Sequence, residues 1–309
     1  MRYVMLPTVW EESVCDLQAA GHERVDDLHD ADFLLYTGYW DEFPELPPNI
    51  KFVQTAFAGL DALVAGGQLD PSVRWANAAG WYADSVAEST LALLLAVYHG
   101  HKYAGQQASF SAAEKLQDAT RFLFHDKTVV ILGAGGIGER LIEMLAPFNA
   151  RVIAVNHSGR PVAGAADTVA LGGDAGELRT RVWAQADVLV NLLPLTDATR
   201  GIVGAELLAQ LKGGCVVVNT GRGGTIDTDA LVDALESGHL GGAGLDVTDP
   251  EPLPDGHRLW ELPNVVVTPH TANTVPNMKR VPGKFTAENA RLFAEGKKMA
   301  TEVDVAAQY

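Results

Sequence analysis

The chain has 309 residues, of which 47% are hydrophobic and 20% charged, and its formal net charge is −16. This length suits about two globular domains, and the negative charge argues against a nucleic-acid-binding surface, so local cations must bind any anionic substrate. Cys15 and Cys215 are too few for a disulfide framework, which indicates a reducing cytoplasm. The apolar run from Leu91 to Val97 is too short to span a bilayer, so no membrane association is expected.

Residues 1 to 99 read as short strands alternating with helices, which is typical of a parallel sheet covered by helices. The predicted elements are strands over Tyr3–Leu6, Phe33–Tyr36, Phe52–Thr55 and Val73–Ala76 and a helix over Glu11–Ala20. The loops Thr37–Trp40 and Ala56–Leu60 each follow a strand, where ligands bind in open α/β sheets. The backbone N–H groups of Ala58 and Gly59 could hold a carboxylate, although an ordinary turn explains the glycine equally well.

Residues 84 to 107 predict one long helix, capped by Asp84 or Ser85, at which the chain first crosses between domains. His99 and His101 lie two residues apart near its polar end, so their side chains should point away from each other on a continuous helix. This favours a solvated pair over a metal site. The expected bodies are a substrate domain over residues 1–99, a dinucleotide-binding domain over 100–274 and a C-terminal helix over 275–309.

The stretch from Lys127 to Leu145 carries a glycine-rich turn. An apolar, β-branched run is followed by Gly133-Ala134-Gly135-Gly136-Ile137-Gly138 and then by apolar residues at helical spacing. In such a strand-turn-helix Gly133 permits the tight turn, Gly135 lets a pyrophosphate approach the backbone, and Gly138 lets helix and strand pack closely. The helix N-terminus at Gly136 and Ile137 favours the phosphates. The placement of the turn between strand and helix indicates dinucleotide binding.

Six strands in the second half of the chain predict a full doubly wound sheet. After the strand before Gly133, they are Arg151–Val155, Asp187–Leu192, Cys215–Asn219, Ala243–Val247 and Val265–Thr268. Helices are predicted over Ala205–Leu211, Asp229–Glu236 and Phe285–Phe293. The predicted fold class is α/β, with a doubly wound parallel-sheet (Rossmann) cofactor domain and a smaller flavodoxin-like α/β substrate domain.

The end of the second strand in this sheet bears on the choice of cofactor. NAD-binding folds of this type place an acidic residue about 20 positions past the glycines, where it binds the ribose hydroxyls. Here Asn156 stands near that position, followed by His157, Ser158 and Arg160. A neutral amide removes repulsion against a 2′-phosphate, while Ser158 and Arg160 offer a donor and a fixed cation. NADP(H) is therefore favoured, with NAD(H) and a plain surface loop as the alternatives.

Three segments that end strands of the second sheet carry an arginine, a glutamate and a histidine, which are Arg222, Glu251 and His270. Because the carboxyl ends of parallel strands converge, the three side chains are expected to meet. A histidine can exchange a proton with a carbonyl oxygen, a carboxylate stabilises its imidazolium, and an arginine can bind a substrate carboxylate through two hydrogen bonds. Singly, each would be an ordinary surface residue. Behind a dinucleotide fold, they indicate a 2-hydroxy acid dehydrogenase.

The sequence resembles the D-isomer-specific 2-hydroxyacid dehydrogenase family and is similar to its glyoxylate/hydroxypyruvate reductases. The matching stretches are VILGAGGIG, LPLTDATRGIVG, VVVNTGRGGTIDTDALVDAL, GGAGLDVTDPEPLP and NVVVTPH, with weaker agreement in the first domain. The resemblance implies that Arg222, Glu251 and His270 are catalytic and that the loop at Ala58 and Gly59 binds the substrate carboxylate, with Arg222 and His270 also contacting the substrate. It implies further cofactor contacts from Leu193, Pro194, Thr220, Gly221 and Asp246, with Asp246 holding the nicotinamide carboxamide.

The same resemblance implies that the C-terminal helix returns to the first domain and that two cofactor domains pair in a homodimer. Three departures from the family pattern stand out: Asn156 replaces an aspartate, Asn273 stands where many relatives have a small residue, and residues 107–126 lack the usual glycine-and-tryptophan pattern. Four aromatic residues could line a pocket for the substrate side chain, or could equally well be packing residues: Tyr39, Trp40, Phe57 and Trp81.

The expected function is reduction of a small anionic 2-keto acid, such as glyoxylate or hydroxypyruvate, to a D-2-hydroxy acid with NADPH. One alternative is a cofactor-sensing binding protein like the corepressors that resemble this family. Another is a related dehydrogenase such as formate dehydrogenase, although formate oxidation has no hydroxyl proton to remove, so a glutamate beside a histidine argues against it.

Overall fold

A computed structural model describes residues 1–38, 43–124 and 126–307 of the chain. The chain divides into two compact units, one formed by Met1–Tyr82 with Asn273–Tyr309 and the other by Ala83–Ala272. The sequence predicts the first boundary near residue 99, whereas the structure has it before the helix Ala83–Tyr98. That helix belongs to the second unit because its apolar side packs on the strands and on another helix of that unit.

The first unit is built on a five-stranded parallel sheet. Its elements before residue 83 are β1 (Arg2–Leu6), α1 (Glu11–Ala19), β2 (Glu23–Arg24), β3 (Phe33–Tyr36), β4 (Phe52–Thr55), α2 (Asp61–Ala65) and β5 (Arg74–Ala76). The strand order is β2-β1-β3-β4-β5, and all residues of β3 and β4 are buried. The polar edge strand β2 was not predicted, because it has no apolar residue to mark it.

The second unit begins with the helices α3 (Ala83–Tyr98), α4 (His101–Gln107) and α5 (Ala113–Ala119). The first two occupy the range in which the sequence predicts a single helix. The prediction of one helix over residues 84–107 is wrong, because Gly100 adopts a left-handed conformation with φ 62°. Asp84 and Ser85 lie within the first turn of α3 and do not precede it. The break also brings the rings of His99 and His101 to 5.7 Å between centroids, so they do not point apart as predicted.

The remainder of the second unit is a seven-stranded parallel sheet covered by helices. Its elements are β6 (Thr128–Leu132), α6 (Gly136–Leu145), β7 (Arg151–Asn156), β8 (Asp167–Ala170), α7 (Ala175–Glu177), β9 (Val188–Asn191), α8 (Ala205–Gln210), β10 (Val216–Asn219), α9 (Thr228–Glu236), β11 (Gly242–Leu245), α10 (Arg258–Glu261) and β12 (Val265–Val267). The order β12-β11-β10-β9-β6-β7-β8 reverses beside β6, which places a ligand crevice at the carboxyl ends of β6 and β9. Strand β8 is additional to the six predicted.

The chain ends with α11 (Val275–Met278) and α12 (Pro282–Ala294), both in the first unit. Helix α12 packs on α1, and a Cβ on Gly283 would lie 2.8 Å from the Cα of Ser13, so the two helices approach closely there. Among the helices of the described residues, none is long and apolar enough to cross a membrane. Those residues also contain no group of three histidine, cysteine or acidic side chains able to hold a metal ion.

Candidate active site

The glycine-rich turn connects β6 to α6 at the carboxyl end of β6. Gly133 has φ +91°, and a Cβ there would lie 2.9 Å from the backbone of Leu192, so this position requires glycine. A Cβ on Gly135 would meet nothing within 4 Å, which leaves open space above the turn, and one on Gly138 would lie 3.2 Å from Ile131. The first N–H groups of α6, starting at Gly136 and Ile137, have no acceptor within the helix. The turn therefore fits a pyrophosphate.

Asn156 ends β7, and its side chain organises the loop that follows. Its Nδ2 donates to the carbonyl oxygen of Arg160 at 2.8 Å, which defines the orientation of the amide because a carbonyl only accepts. The other amide atom, Oδ1, is buried and has no hydrogen-bond partner among the described residues. A buried acceptor without a donor is costly, and a ribose hydroxyl would supply the donor. Asn156 therefore fits the adenosine ribose of a dinucleotide.

Arg160 is exposed and forms an ion pair that the sequence did not predict. Its Nη2 lies 2.9 Å from Oε1 of Glu139 on α6, and its backbone N–H donates to Ser158 Oγ at 3.3 Å. An exposed ion pair of this kind contributes about 0–1 kcal/mol. A phosphate dianion can therefore compete with Glu139 for the guanidinium. His157 is exposed in the same loop.

The loops after β9 and β10 lie against each other. A Cβ on Gly221 would lie 2.8 Å from the carbonyl oxygen of Leu193, so the two backbones are in contact. The hydroxyl of Thr220 is 2.7 Å from that of Thr90 on α3, and Pro194 is exposed. Leu193, Pro194, Thr220 and Gly221, four of the five further cofactor contacts that the resemblance implies, thus follow neighbouring strands at the sheet edge that carries the glycine turn.

His270 and Glu251 form a hydrogen-bonded pair, with Nδ1 of the imidazole 2.5 Å from Oε1 of the carboxylate. This bond outweighs partial burial and raises the pKa of His270. Partial burial favours the neutral form of Glu251, but the hydrogen bond and charge of His270 outweigh it and hold the pKa of this carboxyl below its usual value. Since Nδ1 is engaged, Nε2 is the nitrogen available to exchange a proton with a substrate.

Arg222 lies in the loop after β10. Its Nη1 donates to the carbonyl oxygen of Gly221 at 2.8 Å, and its own carbonyl accepts from Asn219 Nδ2 at 3.1 Å. The positive charge of Arg222 lowers the pKa of both His270 and Glu251. At His270 it opposes the hydrogen bond to Glu251, whose effect on the pKa is larger. The structure therefore pairs His270 directly with Glu251, and the charge of Arg222 acts on both.

Asp246 supports the turn that carries His270. The carboxylate is almost fully buried, and Oδ1 accepts from Thr268 Oγ1 at 2.6 Å and Thr271 N at 2.8 Å. Ala272 N donates to Oδ2 at 3.0 Å, and the backbone oxygen of Asp246 accepts from His270 N at 2.8 Å. Oδ2 retains capacity for one further donor, which fits the carboxamide N–H of a nicotinamide.

In the first unit, the loop after β4 presents two backbone donors. Ala58 is exposed and Gly59 half-buried, and neither N–H group donates to any residue in the described part of the chain. A carboxylate would satisfy both N–H groups. This loop therefore fits the anion-binding role that the resemblance implies.

The aromatic residues predicted to line a substrate pocket differ in their burial and contacts. Trp81 is 8% exposed, and its ring stacks on Phe285 with centroids 4.9 Å apart, which favours a packing role. Phe57 is half-buried in the loop after β4. Tyr39 and Trp40 lie outside the described residues.

Comparison with known proteins shows which family the chain is similar to. The family model for the NAD-binding domain of D-isomer-specific 2-hydroxyacid dehydrogenases matches residues 91–272. An uncharacterized protein of Corynebacterium melassecola is 55% identical over 309 residues, which covers 100% of both sequences. The chain spans about half the length (48%) of the D-3-phosphoglycerate dehydrogenase to which it is 34% identical.

Two solved structures share the fold over the whole chain. A D-isomer-specific 2-hydroxyacid dehydrogenase from Xanthobacter autotrophicus, in complex with NADPH and MES, has a TM-score of 0.80 at 26% identity, covering 100% of this chain and 99% of that one. An NADPH-dependent glyoxylate/hydroxypyruvate reductase from Sinorhizobium meliloti, in complex with NADP and sulfate, has a TM-score of 0.79 at 29% identity with the same coverage. The predicted family and fold class are confirmed: the chain belongs to the D-isomer-specific 2-hydroxyacid dehydrogenases.

Proposed function

We propose that this protein reduces small 2-keto acids to D-2-hydroxy acids and prefers NADPH. The observation that carries the proposal is the His270–Glu251 pair beside Arg222, in the same unit as a glycine turn that fits a dinucleotide. The Sinorhizobium meliloti relative is an NADPH-dependent glyoxylate/hydroxypyruvate reductase, so we propose glyoxylate and hydroxypyruvate as the first substrates.

The mechanism assigns each residue a separate task. A nicotinamide cofactor bound at this site would supply the hydride that the carbonyl carbon accepts. Protonated His270 donates its Nε2 proton to the oxygen that becomes the hydroxyl, and Glu251 stabilises the imidazolium until transfer. Arg222 binds the substrate carboxylate and polarises the carbonyl, as a bidentate guanidinium can.

Other residues bind and orient the two reactants. The turn Gly133–Gly138 would hold the pyrophosphate and Asn156 the ribose, and Leu193, Pro194, Thr220 and Gly221 line the same edge of the sheet. Asp246 would orient the carboxamide. In the first unit, the N–H groups of Ala58 and Gly59 would bind a carboxylate.

A panel of small 2-keto acids assayed with NADPH and NADH tests this function directly. We expect turnover of glyoxylate and hydroxypyruvate, and the glycerate formed from hydroxypyruvate should be the D enantiomer by chiral chromatography. Formate with NAD⁺ and NADP⁺ serves as the control for the related dehydrogenase activity. Turnover no higher than in an enzyme-free blank for every keto acid would contradict the proposal and favour a cofactor-sensing binding protein.

Arg222→Lys is expected to impair catalysis although it keeps the positive charge, because an ammonium cannot replace a planar guanidinium that binds the carboxylate through two hydrogen bonds. Loss of a charge-assisted contact predicts a fall in kcat/KM for the keto acid of roughly ten- to hundredfold. Arg200→Lys, at an exposed arginine of the same unit, is the matched control. A variant in which only the affinity for NADPH changed would assign Arg222 to the cofactor site.

The pH dependence of reduction should follow His270. Because the hydrogen bond to Glu251 raises the pKa of His270, the proton donor stays charged to higher pH, and kcat/KM falls only as the pH passes this raised pKa. Glu251→Gln removes the partner carboxylate, so the falling limb should move to lower pH and activity should partly recover on acidification. A pH profile of kcat/KM measures the shift, and an unmoved limb would show that another group controls it.

We further propose that the enzyme is a cytoplasmic homodimer joined through its cofactor domains. Phe110 is 98% exposed and Phe122 59% exposed on the second unit, and such apolar surface is typical of an interface. Cys15 and Cys215 are both free thiols, which suits a reducing compartment.

A further inference from the structure

Three consecutive carbonyl groups in the loop after β4 are each held by hydrogen bonds. Ala56 O accepts from Tyr82 Oη at 2.7 Å, Phe57 O accepts from Ala78 N at 3.0 Å and Thr55 Oγ1 at 2.8 Å, and Ala58 O accepts from Asn77 Nδ2 at 2.8 Å. The orientation of each peptide plane in this loop is therefore determined by its neighbours.

These anchored carbonyls determine where the loop's N–H groups point. In a planar trans peptide the N–H is opposite to the C=O of the preceding residue. The bonds that hold the carbonyls of Phe57 and Ala58 therefore direct the N–H groups of Ala58 and Gly59 away from the anchoring residues. Neither of these two N–H groups has an acceptor among the described residues. Two adjacent donors presented in this way suit the oxygens of a carboxylate.

Asn77 supplies the side chain that holds the last of these peptides. Its Nδ2 donates to Ala58 O, while its Oδ1 accepts from Ala79 N at 3.1 Å, so both amide atoms are paired and the side chain has one orientation. Asn77 is only 6% exposed, so water cannot readily replace these bonds. The peptide that carries the Gly59 N–H thus depends on one buried amide.

The backbone of Asn77 is itself fixed by a buried polar network. Its carbonyl accepts from Gln54 Nε2 at 3.0 Å and from Thr301 Oγ1 at 2.6 Å, and its N–H donates to Thr301 O at 3.1 Å. Asn289 on α12 donates to both Gln54 Oε1 and Thr301 Oγ1, at 2.8 and 3.0 Å. Gln54 and Asn289 are 0% and 1% exposed. The C-terminal part of the first unit therefore holds Asn77 in place.

We propose that Asn77 is a positioning residue for carboxylate recognition: it orients the Ala58–Gly59 peptide so that its N–H group faces the substrate anion. This inference rests on the proposed function only for the identity of the substrate as a 2-keto acid. It adds that anion affinity depends on a buried amide that does not itself touch the substrate.

The test compares Asn77→Ala with the wild type in the full-length enzyme saturated with NADPH. Oxamate, a non-reducible analogue with one carboxylate, serves as the probe, and its Kd is measured by calorimetry beside KM and kcat for glyoxylate. We expect the Kd for oxamate and the KM to rise by roughly ten- to hundredfold, the loss of one hydrogen bond to a charged group, while kcat changes by less than about threefold.

The matched control is Asn49→Ala, because Asn49 also braces backbone carbonyls of the first unit. Its Nδ2 donates to Leu28 O at 2.7 Å and Ala31 O at 2.8 Å, away from the loop after β4. A second variant, Asn77→Asp, keeps the acceptor for Ala79 N but cannot donate to Ala58 O. It should weaken oxamate binding at least as much as alanine does, because its carboxylate repels the Ala58 carbonyl, and it leaves no cavity because the two side chains are nearly isosteric.

Hydrogen exchange of peptides covering residues 56–60 supplies a readout independent of turnover. Oxamate should protect these amides in the wild type and lose that protection in both Asn77 variants, but not in Asn49→Ala. Absence of protection in the wild type, or an unchanged Kd and KM in Asn77→Ala, would overturn the inference. If oxamate binds with the expected protection but no keto acid is reduced, the proposed function fails while the inference stands.

Discussion

Replacing His270 with alanine is expected to lower kcat for keto acid reduction by about 10²-fold or more, the usual contribution of a positioned general acid. The affinity for NADPH should stay nearly unchanged, because the imidazole acts on the substrate oxygen. Steady-state kcat and a fluorescence titration with NADPH measure the two quantities separately. His101→Ala, at an exposed histidine of the same unit, controls for the loss of an imidazole.

The backbone at His270 calls for a second variant. The residue has φ 53°, a left-handed conformation that alanine adopts with strain and asparagine adopts more readily. His270→Asn should therefore retain the turn and still lose the proton donor. If either variant, with an intact fold, turned over keto acids at close to the wild-type rate, His270 would not be the general acid.

The strands were predictable wherever the sheet buries them on both faces. The fully buried strands Phe33–Tyr36 and Thr128–Leu132 consist mainly of apolar residues, so composition alone marks them. The strands that were missed, Glu23–Arg24 and Asp167–Ala170, lie at sheet edges and carry polar residues. Their pairing is determined by the neighbouring strand, which a local pattern does not contain.

The break at Gly100 shows a different limit of sequence reasoning. Glycine is tolerated inside helices, so its presence between His99 and His101 does not by itself end one. In the structure the left-handed residue separates α3 from α4, and Tyr98 O accepts a hydrogen bond from Arg121 N, far along the chain. A tertiary contact therefore helps to decide the helix end. The imidazole rings of His99 and His101 lie close together because the helix is interrupted between them.

The contact between Glu251 and His270 was predictable because topology alone brings the carboxyl ends of parallel strands together. The contacts that orient these and other site residues were not. Asp246 holds the turn of His270 through side-chain and backbone donors, and Asn77 holds the loop of Ala58. Such bonds depend on rotamers and on loop conformations, which strand patterns do not specify.

The loop after β7 carries the other large expected effect. Asn156→Asp combined with Arg160→Ala should move cofactor preference toward NADH, because a carboxylate repels the 2′-phosphate and accepts hydrogen bonds from free ribose hydroxyls. The added repulsion and the lost charge-assisted contact should each be worth about 1.5 to 3 kcal/mol, some ten- to hundredfold in the preference ratio. The ratio of kcat/KM for NADPH to that for NADH measures the change.

Binding of adenosine 2′,5′-bisphosphate and of 5′-AMP isolates the 2′-phosphate from the rest of the reaction. The double variant should lose affinity for the bisphosphate and not for AMP, whereas Arg140→Ala should change the two alike, because Arg140 pairs with Asp84 and Glu143 and not with Glu139. In the wild type, the ion pair between Arg160 and Glu139 must break before the guanidinium can bind the 2′-phosphate. A wild type that binds both nucleotides equally and prefers NADH would mean that Glu139 retains the guanidinium and that Asn156 serves the ribose alone.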